Sequence, residues 1–105
     1  MAEAGLPTRR RPTTPGEVIL EEYLKPLDVT QTELAAALHI PLQRVNLIIK
    51  GKRAVTPDTA LRLSRCLGGS IQSWLNLQHA VDLYDAIVAT KREDLAHIPH
   101  LAAAG

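Results

Sequence analysis

Between Thr14 and Thr90 the apolar residues recur every three or four positions, in five stretches broken by proline, glycine or a hydroxylated residue. That spacing is helical. The first stretch opens at Thr14-Pro15-Gly16-Glu17, a T-x-x-E capping box with proline at the first helical position. Val18, Ile19, Tyr23 and Leu24 form its apolar face, and Pro26 is expected to interrupt it. Thr30-Gln31-Thr32-Glu33 repeats the capping box, so the second helix begins at Gln31. Leu34, Ala35 and Leu38 share one side of it, with Ala35 small enough for close approach by a neighbour. The third helix follows Pro41, turns Val45, Ile48 and Ile49 inward and ends at Gly51, a left-handed C-cap. Thr56-Pro57-Asp58 caps a fourth that runs to Leu67 and stops at Gly68-Gly69. Ser70 caps the longest, from Ile71 to about Thr90, carrying Trp74, Leu75, Leu77, Val81, Tyr84, Ile87 and Val88.

Two short capped helices joined by a tight turn form a helix-turn-helix, and the outward face of the second fits DNA. That face carries Gln43, Arg44, Asn46, Leu47 and Lys50. Amide side chains pair bidentately with adenine and arginine with guanine, while Leu42 or Leu47 offers an apolar contact to a thymine methyl. Gln31, at the start of the preceding helix, is placed to hold a phosphate. Lys52 and Arg53 follow directly and suit the phosphate backbone. Each residue alone is also an ordinary solvated side chain. Their combination within two capped helices is what points to DNA.

The net charge of +1 gains meaning only when resolved along the chain. From Arg44 to Arg65 stand Arg44, Lys50, Lys52, Arg53, Arg62 and Arg65 against Asp58 alone. Acids gather instead at Glu17, Glu21 and Glu22, and again at Asp82, Asp85, Glu93 and Asp94. Arg62 and Arg65 are expected as solvated charges on the outer side of the fourth helix. The length of 105 residues allows one domain, 14–91, between a flexible basic arm, 1–13, and a disordered tail, 92–105. Arg9, Arg10 and Arg11 make the arm a solubilising segment or a minor-groove or phosphate contact.

Phe is absent and Trp74, Tyr23 and Tyr84 are the aromatics, so aliphatic packing must dominate the core. The lone Cys66, between Leu63 and Leu67, excludes an intramolecular disulfide and reads as a buried thiol in a reducing compartment. With no apolar leader and no run of membrane-spanning length, a cytoplasmic location is expected. The histidines, His39, His79, His97 and His100, are scattered, and neither a glycine-rich phosphate loop nor paired carboxylates appear. No catalysis, metal, cofactor or small-molecule substrate is expected. The last helix bears more apolar surface than a small bundle needs, so a second copy should cover part of it. An isologous dimer would set two recognition helices about one DNA turn apart.

The chain resembles HigA-type antitoxins, within the lambda-repressor-like or XRE-type helix-turn-helix proteins. The resemblance rests on Pro15-Gly16-Glu17, on Thr30-Gln31 through Lys50-Gly51-Lys52-Arg53, on Thr56-Pro57 with Ala60-Leu61-Arg62-Leu63, and above all on Trp74-Leu75-Asn76-Leu77-Gln78 before Asp82-Leu83. It implies a compact five-helix, all-α dimer with a long last helix that binds operator DNA and represses its own operon. It also implies a partner, a HigB-type, mRNA-cleaving toxin of RelE-like fold that the antitoxin neutralises. The family's DNA surface falls on Gln31, Leu42, Gln43, Arg44, Asn46, Leu47 and Lys50, with Lys52 and Arg53 at the backbone, and its dimerisation surface around Trp74, Val81 and Tyr84. For the toxin, Glu17, Glu21 and Glu22 of the first helix are the acids suited to a basic ribonuclease. A stand-alone XRE-family repressor without a toxin is the alternative, and an interaction scaffold that has lost DNA binding a third.

Two departures stand out. His39 occupies a turn position where the family commonly has glycine, and Pro41 replaces the usual Ser or Thr cap of the recognition helix.

Overall fold

The computed structural model describes residues 10–102, and every regular element among them is a helix. The first rod, α1, spans 15–27 in three stretches: α-helical Pro15–Val18, π-helical Ile19–Leu24 and α-helical Lys25–Leu27. It is followed by α2, Gln31–Leu38, α3, Leu42–Ile49, α4, Pro57–Leu67, and α5, Ile71–Ala89. A short α6, Arg92–Ala96, adds a sixth helix to the five expected, within the stretch 92–105 expected to be disordered. It is exposed throughout. Residues 1–9, most of the proposed arm and including Arg9, lie outside the described part of the chain.

Pro26 does not interrupt α1. Proline has no N–H to donate and its ring crowds the carbonyl four residues back. Here the preceding turns widen to π geometry, in which the Lys25 N–H donates to Leu20 O, and the rod continues past the proline. It ends at Asp28, whose φ of 56° is left-handed. The Val29 N–H donates to Leu24 O at 2.9 Å and the Asp28 N–H to Lys25 O at 3.2 Å, the paired closing bonds of a Schellman turn.

The same closure ends α2 at His39, φ 58°, with Ile40 N–H to Ala35 O at 3.1 Å and His39 N–H to Ala36 O at 3.3 Å. It recurs after α3 at Gly51, φ 73°, with Lys52 N–H to Leu47 O at 2.8 Å. A side chain in the left-handed region is strained where glycine is not. His39→Gly is therefore expected to raise stability by about 1 kcal/mol, read as a higher midpoint in urea at unchanged slope.

Ile19 and Leu24 of α1, Leu34, Ala35 and Leu38 of α2, Val45 and Ile48 of α3, and Ala60 and Leu63 of α4 close around one core. Trp74 completes it from α5. Its indole N–H donates to Gly68 O at 2.9 Å, and its ring tilts 42° against Tyr23 with centroids 5.8 Å apart. Trp74 and Val81 are each only 3 % exposed within a single chain. Neither has surface left to offer a second copy, which corrects their assignment to dimerisation.

Gly16 sets how closely α1 approaches α3. A Cβ built there would overlap the Ile48 carbonyl oxygen and stand 2.7 Å from Ile49 Cα. Those are backbone atoms, which cannot swing aside as a flexible side chain would. Gly16→Ala is expected to cost about 1–3 kcal/mol by forcing α1 off α3, measured by urea denaturation.

Two further expectations are corrected on α4. Ala60 and Leu63 form its inward stripe with half-buried Leu67, and Cys66 falls beside that stripe, exposed. Arg62 is no freely solvated charge: its Nη1 donates to Leu38 O at 2.9 Å and to His39 O at 3.3 Å. It thereby satisfies carbonyls left open at the end of α2. No helix among the described residues is long and apolar enough to cross a membrane.

Candidate nucleic-acid interface

Thr30 starts α2 by accepting the Glu33 N–H at 3.0 Å, while Glu33 Oε1 accepts the Thr30 N–H at 2.9 Å. The Thr30 N–H, followed by the Thr30 hydroxyl, holds the Glu33 carboxyl below the usual carboxylate range. Gln31 is thereby fixed at the first position of α2, half-buried. Pro41 precedes α3 in extended geometry, φ −62° and ψ 143°, and supplies no side-chain cap. The recognition helix therefore begins on backbone bonds alone, with the Arg44 N–H donating to Pro41 O at 3.0 Å.

Val45 and Ile48 anchor α3 in the core. Leu42, Gln43 and Lys50 stand exposed, whereas Asn46 and Leu47 are half-buried at the flank of the same helix. Arg44 is more constrained than its outward position suggests. Its guanidinium lies 3.4 Å from Asp58 of α4, with 26 % of the side chain exposed. Asp58 also accepts from Arg62 Nε at 3.1 Å, and Arg62 followed by Arg44 holds its carboxyl below the usual range. One carboxylate thus positions two arginines.

The loop after α3 is held at both ends. Gly51 begins it with the Schellman closure, and at its far end the Val55 N–H donates to Gln78 Oε1 of α5 at 2.8 Å. Gln78 is itself fixed by donating from Nε2 to Asp82 at 2.8 Å. Lys52 and Arg53 project exposed between these anchors. A continuous basic ridge results, running from α3 into a pinned loop.

The helix-turn-helix family model matches residues 20–74, more than half of the chain. Virulence-associated protein I of Dichelobacter nodosus is 54 % identical over 69 residues, 66 % of this chain and 64 % of that protein, so the chain spans less than two thirds of this relative's length. Antitoxin HigA-1 of Vibrio cholerae is 40 % identical over 78 residues, 74 % of this chain and 73 % of the antitoxin. The chain belongs to the HigA-type helix-turn-helix family. A solved structure of antitoxin GraA in complex with its operator superposes with a TM-score of 0.80 at 38 % identity, over 93 % of this chain and 99 % of that one.

Within the HigA-type fold, the acids of α1 are not equally available. Glu17 Oε1 accepts the Thr14 N–H at 2.9 Å in the capping box, which holds its carboxyl below the usual range. Glu21 accepts from Lys25 Nζ at 2.7 Å, and Glu22 is exposed. On α5, Tyr84 is half-buried, while Leu83 and Val88 are largely exposed.

Gln78, Asp58 and Arg62 are positioning residues that sequence reasoning missed. The four-residue spacing of Asp58 and Arg62 on a helix was the available signal for one pair. Gln78 gave none, because its partner lies 23 residues away across the fold.

Proposed function

We propose that this HigA-type protein binds operator DNA through the outward face of α3 and neutralises a HigB-type toxin. The observation that carries the DNA half is the basic ridge: Gln43, Arg44 and Lys50 on a helix anchored by Val45 and Ile48, continuous with Lys52 and Arg53 on a loop pinned by Gln78. Gln43, Arg44 and Asn46 read base edges, Leu42 and Leu47 meet thymine methyls, and Gln31, Lys50, Lys52 and Arg53 hold phosphates. A homodimer forms through the face of α5 still exposed in one chain, around Tyr84, Leu83 and Val88. It presents two recognition helices to a palindromic site.

The antitoxin half is supported by the likeness to antitoxin HigA-1 and antitoxin GraA. The toxin meets the acidic side of α1, with Glu22 and Glu21 more available than the cap-bound Glu17. Co-expression with the product of the adjacent reading frame tests this. One co-purifying complex of defined size that relieves the neighbour's toxicity is the expected result. A lone dimer that shifts its own promoter and captures no neighbour would make the chain a plain repressor.

A further inference from the structure

Beside the pinned loop lies a cleft of about 180 Å³, with Gly51, Lys52 and Arg53 on one wall and Val81, Asp82 and Asp85 of α5 on the other. Arg11 lies across it. Its Nε donates to Asp85 Oδ1 and its Nη2 to Asp85 Oδ2, both at 2.8 Å. Both side chains stay close to half exposed, 42 % and 50 %. Glu17 and Asp82 face the same guanidinium from α1 and α5.

The fork that grips a carboxylate at two points grips a phosphate in the same way. An exposed ion pair is weakly held in water. Duplex DNA brings a dense line of phosphates to the opposite wall, where Lys52 and Arg53 stand. We propose that Arg11 is a further DNA-backbone contact, held in reserve by Asp85 in the free protein and exchanged onto a phosphate when the duplex seats. This rests on the operator-binding function proposed above. Asp85 then weakens binding, because its bond to Arg11 must be broken and its charge left beside Asp82.

The test is the affinity of the full chain for its own promoter duplex across a salt series. It compares wild type, Asp85→Asn, Arg11→Ala and the double variant, each checked by thermal melting. Asp85→Asn is expected to tighten binding about threefold to tenfold. Arg11→Ala is expected to weaken it and to flatten the log-log salt slope by about 0.9, the loss of one ion. In the Arg11→Ala background the Asp85→Asn gain should vanish. An equal gain with and without Arg11 would reduce Asp85 to a general repulsive charge and overturn the proposal, as would no gain at all. Wild type that fails to bind the promoter overturns this proposal together with operator binding. Wild type that binds, with Arg11 and Asp85 uncoupled, overturns this proposal alone.

Discussion

Trp74→Ala is expected to destabilise the protein by about 3–5 kcal/mol, the cost of emptying a large aromatic site in a packed core. For a domain of this size that lowers the melting midpoint by roughly 15–30 °C. The effect is large because Trp74 ties three parts of the chain at once. Its ring fills the aliphatic core and lies tilted against Tyr23 of α1, and its N–H closes the α4–α5 turn at Gly68 O. Since native domains are stable by only about 5–15 kcal/mol, the variant should stand near the edge of folding. Trp74→Phe separates the contributions. It keeps much of the buried area but leaves Gly68 O without its donor, and should cost about 1–3 kcal/mol by urea denaturation. Loss of dimerisation with the monomer fold intact would contradict the core placement.

The second large effect is on DNA. Arg44→Glu combined with Lys52→Glu is expected to lower affinity for the chain's own promoter by roughly 100-fold to 1,000-fold at moderate salt. Removing a bidentate base contact alone is worth about 1–3 kcal/mol, and each lost phosphate ion lowers the salt slope by about 0.9. The variant should keep its helical circular dichroism, because Lys52 is exposed and Arg44 lies at the rim of the core. Arg44→Glu does place a like charge beside Asp58, so Arg44→Ala serves as the gentler companion and should lose about 10-fold to 100-fold. Fluorescence anisotropy across a salt series measures both. Unchanged affinity in the folded double variant would remove α3 and its loop from the DNA interface.

The parts of the fold legible in the sequence are those fixed by local chemistry. The capping boxes at Thr14 and Thr30, the left-handed closures at His39 and Gly51, and the proline start of α3 each depend on residues within a turn of one another. Helical spacing likewise placed Leu34, Leu38, Val45 and Ile48 in the core. The misreadings share a different origin, which is the partner across the fold. Pro26 looked like a stop because the sequence does not show that Leu20 and Lys25 can widen their turn around it. Cys66 sits one position off the inward stripe of α4, and its neighbours Leu63 and Leu67 made it look buried. The burial of Trp74 is set across the fold, by Tyr23 of α1 and the Gly68 carbonyl in the turn between α4 and α5, which nothing within α5 shows.

In the candidate site, residue types were legible and their constraints were not. Gln43 and Lys50 lie on the open face that the periodicity assigns them, but the clasp of Arg44 by Asp58 and the pinning of the basic loop by Gln78 are tertiary. These contacts turn a set of polar side chains into a shaped surface. They also limit its freedom, since Arg44 must leave or share Asp58 to meet a base.

The most direct test of operator recognition by α3 is protection of the chain's own promoter from dimethyl sulfate, which methylates guanine N7 in the major groove. Wild type should protect guanines in two half-sites about one helical turn apart, and folded Arg44→Ala should lose that pattern while retaining weak, salt-sensitive binding. Protection without half-sites, or the full wild-type pattern from Arg44→Ala, would contradict it.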